Sequence, residues 1–124
     1  MKTAKDYLDD ANSAVSRLPA EHAVKLHGND GAVFVDVRDS AAIDKTGTIA
    51  GATRIPRGFM EFSVDPATPY FNPVMQKDAA IYLVCGAGGQ AALAGKTLKE
   101  MGFTNVTNVG GIGDWKTAGG AMED

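Results

Sequence analysis

The chain has 124 residues, 44% of them hydrophobic and 22% charged, with a formal net charge of −3, which suits one domain of ordinary globular composition. Its 12 lysines and arginines are scattered, so no run of them neutralises a row of phosphates, and neither a nucleic-acid nor an anionic membrane surface is expected. The polar start, MKTAKDYLDD, does not read as a signal peptide, and the longest apolar runs are far too short to span a bilayer.

Residues 3–17 carry helix-like spacing of Tyr7, Leu8, Ala11, Ala14 and Val15. A second short helix is expected after Pro19, followed by a turn at Gly28–Gly31. Ala32–Val37 is a continuous β-branched and aromatic run, the pattern of a strand buried on both faces. A short helical stretch from Ser40 and a brief strand through Arg54–Ile55 come next, and Pro56 stops that strand. A helical turn is expected over 57–62. Ser63–Asp78 holds Pro66, Pro69 and Pro73 and reads as an unusually long loop. Ala80–Val84 is the second buried strand. It runs into Cys85-Gly86-Ala87-Gly88-Gly89, and a helix follows from Gln90 to Met101, closed by Gly102. Val106–Val109 is a last strand, and Gly110-Gly111 opens a short helix around Trp115. Strands alternating with helices predict an α/β domain with a parallel sheet covered on both faces.

Ligands of such sheets bind beyond the carboxyl ends of the strands. Asp36-Val37-Arg38, Ile55-Pro56-Arg57 and the Cys85 loop satisfy that placement, and only Cys85 offers a nucleophile. A strand–Cys–glycine loop–helix arrangement aims backbone N–H groups at one point, with the positive end of a helix behind them. Such surroundings favour the thiolate, the reactive form of cysteine. The bland alternative is a small hydrophobe ending a buried strand. Glycines after a strand also cradle phosphates, but neither G-x-G-x-x-G nor a P-loop lysine is present. His22 and His27 stand five apart, about 140° around a helix, with no cysteine nearby. No metal site is expected, and no cofactor. One cysteine excludes an internal disulfide and suits a reducing compartment, so cytoplasm is the expected location.

Four segments in order, Asp36-Val37-Arg38, Gly47 through Pro56, Val84-Cys85 with its loop, and Gly110-Gly111-Ile112-Gly113-Asp114-Trp115, resemble the signatures of rhodanese domains. The resemblance spans about residues 33–119. It implies a parallel sheet of about five strands flanked by helices: one domain over 1–124, with 1–18 a helical extension and a core at about 19–119. It also implies transfer of sulfane sulfur from thiosulfate or a persulfide donor to a thiophilic acceptor, through a persulfide on Cys85. Gly86, Ala87, Gly88, Gly89 and Gln90 would be the anion cradle. Arg38 would be structural, paired with a carboxylate, and Trp115 would belong to the core.

The loop departs from the family at two positions. C-x-x-G-x-R-[ST] becomes Cys85-Gly86-Ala87-Gly88-Gly89-Gln90-Ala91, which removes an arginine and a hydroxyl. A charge-assisted hydrogen bond is worth about 1.5–3 kcal/mol, or roughly ten- to a hundredfold in rate. Arg57, just after a strand end, is placed either to restore that charge or to lie as a solvated surface arginine. A rhodanese-fold binding or redox-sensing module is therefore a second expectation beside a sulfurtransferase. A Cys-based phosphatase is excluded, because Ala91 stands where its C-x5-R loop needs arginine. The physiological donor and the oligomeric state are not legible.

Overall fold

The computed structural model describes all of Met1–Asp124. Helix α1 (Ala4–Ala14) is started by a capping box: Thr3 Oγ1 accepts the Asp6 N–H at 3.2 Å, and the Asp6 carboxylate accepts the Thr3 N–H at 2.9 Å. The helix stops short of the expected residue 17. Val15 turns extended, and Ser16–Arg17 form strand β1, paired in parallel with residues 107–108. Two contacts account for the switch. Val15 enters the core at 6% exposure, where Gly95 leaves room that a Cβ, 2.9 Å from both Val15 methyls, would close. The Leu18 N–H then bonds the Asn108 carbonyl at 3.0 Å, continuing the pairing.

Pro19 opens α2 (Ala20–Ala23), as its sequence placement predicts. The remaining elements are β2 (Ala32–Asp36), α3 (Ser40–Thr46), β3 (Thr48–Ile49), β4 (Thr53–Arg54), α4 (Met60–Val64), β5 (Ala80–Cys85), α5 (Gly89–Glu100), β6 (Val106–Gly111), α6 (Ile112–Thr117) and β7 (Met122–Glu123). Five strands form one all-parallel sheet in the order β1-β6-β5-β2-β4. The sheet therefore holds the expected strands and one more, β1. Its central strands are read from the two longest apolar runs: β2 pairs with β5 from Ala32↔Ala80 to Asp36↔Val84.

The sheet has a core on each face. One is built on Val35, Val37, Ile81, Leu83 and Cys85, closed by α5 residues such as Ala91 and Leu98, with Met60 and Val64 from α4. The other joins Phe34, Val84, Val109, Ile112 and Trp115 to Ala23 of α2. Trp115 is fully buried and donates its indole N–H to Ala121 at 3.0 Å. The 63–78 segment begins in the last turn of α4 and then lacks regular structure, yet it is anchored. The Asn72 N–H reaches the Ser63 carbonyl at 2.7 Å, and Met75 is buried in the first core. The antiparallel pair β3–β7, matching Thr48↔Glu123 and Ile49↔Met122, was not legible beforehand.

Candidate active site

Cys85 is the last residue of β5, at the carboxyl edge of the parallel sheet, and its thiol faces the start of α5. Between them Gly88 takes φ 105°, a left-handed conformation that glycine alone adopts freely, and caps α5 without a side chain. That turn points the loop inward. The Gly88 N–H donates to Cys85 Sγ at 3.0 Å and the Ala91 N–H at 3.4 Å. The N–H groups of Gly86, Ala87, Gly89 and Gln90 make no hydrogen bond within the protein. Part of this is unavoidable, since a helix leaves its first N–H groups unpartnered. The outcome is a sulfur atom at the floor of a backbone cradle. Cys85 is 1% exposed, while Gly86, Ala87 and Gln90 form an exposed rim.

The loop is held from behind by β6. Gly111 lies so close to the Gly86 carbonyl that a Cβ there would collide with it. Asn108 is 1% exposed. Its side chain donates to the Gly88 carbonyl at 2.9 Å and accepts the Gly110 N–H at 2.8 Å. Both ends of this amide are used, so it holds the carbonyl of Gly88, the residue whose own N–H touches the sulfur. Asn108→Ala removes both bonds and leaves a buried N–H unpartnered. The expected result is about 1–3 kcal/mol lower stability in chemical denaturation, with slower alkylation of Cys85.

Asp36 and Arg38 form a buried pair at the carboxyl end of β2, with Arg38 Nη2 donating to Asp36 Oδ2 at 2.8 Å. Thr48 donates to the same oxygen at 2.7 Å, and the guanidinium also reaches the Thr46 hydroxyl and the Gly47 carbonyl. Arg38 is thus a structural residue, as the resemblance implied. Arg57 lines an apolar groove with Tyr7, Leu8, Gly89, Gln90 and Leu93. Its guanidinium, however, is engaged by Glu61 at 3.2 Å and Thr97 at 3.0 Å. Two residues at the site escaped sequence reasoning. Asn108 sits in a strand where a polar residue signals nothing by itself. Arg17 lies in a stretch read as helix, and its guanidinium rests against Gly88 and Gly110, with Nη2 3.5 Å from the Ala87 carbonyl oxygen.

A lone cysteine held in a glycine cradle, where a parallel strand passes into a helix, defines a class of α/β domains with one sulfur nucleophile at the carboxyl edge of the sheet. The chain belongs to the rhodanese-like domain family, whose model matches residues 19–118. It is 32% identical over 118 residues to the thiosulfate sulfurtransferase GlpE of Pseudomonas putida, an alignment covering 90% of this chain and 99% of that protein. Among solved structures it is similar to a Rhodopseudomonas palustris protein of unknown function, named as a possible tyrosine phosphatase. There the TM-score is 0.93 at 39% identity, covering 99% of this chain and 96% of the other. The polysulfide-sulfur transferase homodimer of Wolinella succinogenes gives a TM-score of 0.76 at 27% identity, covering 97% and 86%. The family match, the thiosulfate sulfurtransferase and the polysulfide-sulfur transferase support a sulfurtransferase-family role. No helix is long and apolar enough to cross a membrane.

Proposed function

We propose that this protein is a sulfurtransferase that carries sulfane sulfur as a persulfide on Cys85. The observation that supports the reading most is the cradle itself: two N–H groups directed at Sγ and four more left free around it. In the first half-reaction the Cys85 thiolate attacks the outer sulfur of thiosulfate. An Sγ–S bond forms, the S–S bond of the donor breaks, and sulfite leaves with the electron pair. In the second, a thiophilic acceptor such as cyanide or a thiolate attacks the outer sulfur of the persulfide. The sulfur leaves with the acceptor, and Sγ departs as thiolate, ready for the next donor. The N–H groups of Gly86, Ala87, Gly88, Gly89 and Gln90 stabilise the negative charge at each stage. Arg57 borders the groove on the Gln90 side of the loop and contributes to substrate binding there. The partners are a small anionic or persulfidic donor and a thiophilic acceptor, and a cytoplasmic location suits the free thiol.

A second reading, a non-catalytic or redox-sensing module on the same fold, has one specific observation in its favour: Gln90 and Ala91 remove the cation and hydroxyl of the family loop. Turnover separates the two. Steady thiocyanate formation from thiosulfate and cyanide supports the enzyme; its absence with every sulfane donor supports the module.

Gln90 also provides a graded test. Gln90 is exposed at the rim in the first turn of α5. Gln90→Arg adds a cation beside the cradle and is expected to raise kcat/KM for thiosulfate about tenfold or more. The gain should be smaller for a neutral persulfide donor and should shrink at high ionic strength. Paired kinetics with both donors at two salt concentrations measure it.

A further inference from the structure

Arg17 is, with Asn108, one of two residues at the site that neither the sequence pattern nor the family resemblance points to. It ends β1, the edge strand next to β6, and so stands at the same carboxyl edge of the sheet as Cys85. Its guanidinium occupies a seat made by two glycines, both with left-handed backbones. A Cβ on Gly88 would lie 2.5 Å from Nη1, and one on Gly110 would lie 3.0 Å from Nη2. Side chains at either position would displace it. Its one hydrogen bond is the long contact from Nη2 to the Ala87 carbonyl oxygen, at 3.5 Å.

The charge of Arg17 is also unlike that of the other three arginines. Arg38 is paired with Asp36, Arg54 with Glu123 and Arg57 with Glu61. Arg17 takes part in none of the protein's ion pairs. Glu21 and Asp114 line the same hollow, but neither comes within ion-pairing distance of it. An uncompensated, solvent-facing cation therefore packs against the glycine whose N–H touches the nucleophilic sulfur.

We propose that Arg17 is the charge-selecting residue of the Cys85 loop, supplying from β1 the cation that Gln90 does not supply from α5, and so favouring anionic sulfur donors over neutral ones. The proposal deepens the sulfurtransferase reading and rests on it for the identity of the donor. Two effects act together. The guanidinium draws anions to the loop mouth, and its contact with the Ala87 carbonyl offsets the negative end of that dipole. Arg57 acts from the opposite edge of the sheet, beyond β4, with its charge largely met by Glu61.

The test uses the intact protein and two alkylating probes that differ in charge. Second-order rates of Cys85 modification by iodoacetate and by iodoacetamide are compared in wild type, Arg17→Met and Arg17→Lys, with Arg54→Met as a control for loss of a surface cation. A full charge near the reacting atom, at a dielectric between water and protein surface, changes the iodoacetate rate by about three- to tenfold. The iodoacetate-to-iodoacetamide ratio is expected to fall by that factor in Arg17→Met, to recover at least partly in Arg17→Lys, and to stay at the wild-type value in Arg54→Met. The difference should diminish from low to high salt. In sulfur transfer, Arg17→Met should raise KM for thiosulfate with a smaller change in kcat. An unchanged ratio in a folded Arg17→Met protein overturns the proposal. A reduced ratio in a protein whose wild type turns over no sulfane donor keeps the charge selection and removes the sulfurtransferase reading instead.

Discussion

Replacing Cys85 by serine is expected to abolish sulfur loading and thiocyanate formation, down to the uncatalysed background, while leaving the protein folded. The chain contains one cysteine, so no second thiol can accept the sulfur. A serine hydroxyl is a far weaker nucleophile toward sulfane sulfur at neutral pH and forms no persulfide. The structure predicts little structural cost. Serine is smaller than cysteine, and its oxygen can accept the Gly88 and Ala91 N–H groups that now point at Sγ. A stability change of about 1 kcal/mol is expected, within the range of one exchanged hydrogen bond. Circular dichroism and a denaturant melt check the fold; thiocyanate production checks the chemistry. Transfer surviving in Cys85→Ser would exclude persulfide chemistry at this position.

The largest loss of stability is expected from Asp36→Ala. The Asp36 carboxylate is fully buried and accepts bonds from the Arg38 backbone N–H, the Arg38 guanidinium and the Thr48 hydroxyl. Removing it leaves the Arg38 cation, 5% exposed, without its counter-charge. Breaking one partner of a buried ion pair costs about 3–5 kcal/mol. For a domain of this size that is a fall in Tm of roughly 10–20 °C. The contrast is Arg54→Ala, which breaks an exposed pair with Glu123 and should cost about 1 kcal/mol or less. Activity should fall with Asp36→Ala as well, because Asp36 lies in register with Val84, one residue before the nucleophile. Thermal melts of the two variants side by side measure the difference.

The parts of this fold that could be read in advance are those that local chemistry dictates. β2 and β5 announce themselves by the apolar runs Ala32–Val35 and Ala80–Cys85, because both faces of a central parallel strand are buried. Gly102, with φ 98°, ends the helix that begins at Cys85's loop, as a glycine in the left-handed region does. The position of Cys85, at a strand end before a loop of small residues, was legible for the same reason. β1 was not legible, because two residues give no periodicity and their partner lies some ninety positions away in β6. β3 and β7 were missed on the same grounds. The resemblance placed Arg38 and Trp115 correctly, and their burial follows from the Asp36 pair and the second core. Asn108 and Arg17 became visible only when the sheet brought β1 and β6 behind the loop. Their spacing in sequence carries no trace of that neighbourhood.

Intact-mass analysis of the reduced protein, after incubation with thiosulfate or polysulfide, tests the central claim most directly. The account predicts a gain of one sulfur atom, located on the peptide that contains Cys85, and complete return to the starting mass on addition of cyanide, with thiocyanate released in equal amount. A protein that gains no sulfur from either donor, or gains it irreversibly, would contradict the claim that Cys85 carries sulfur between donor and acceptor.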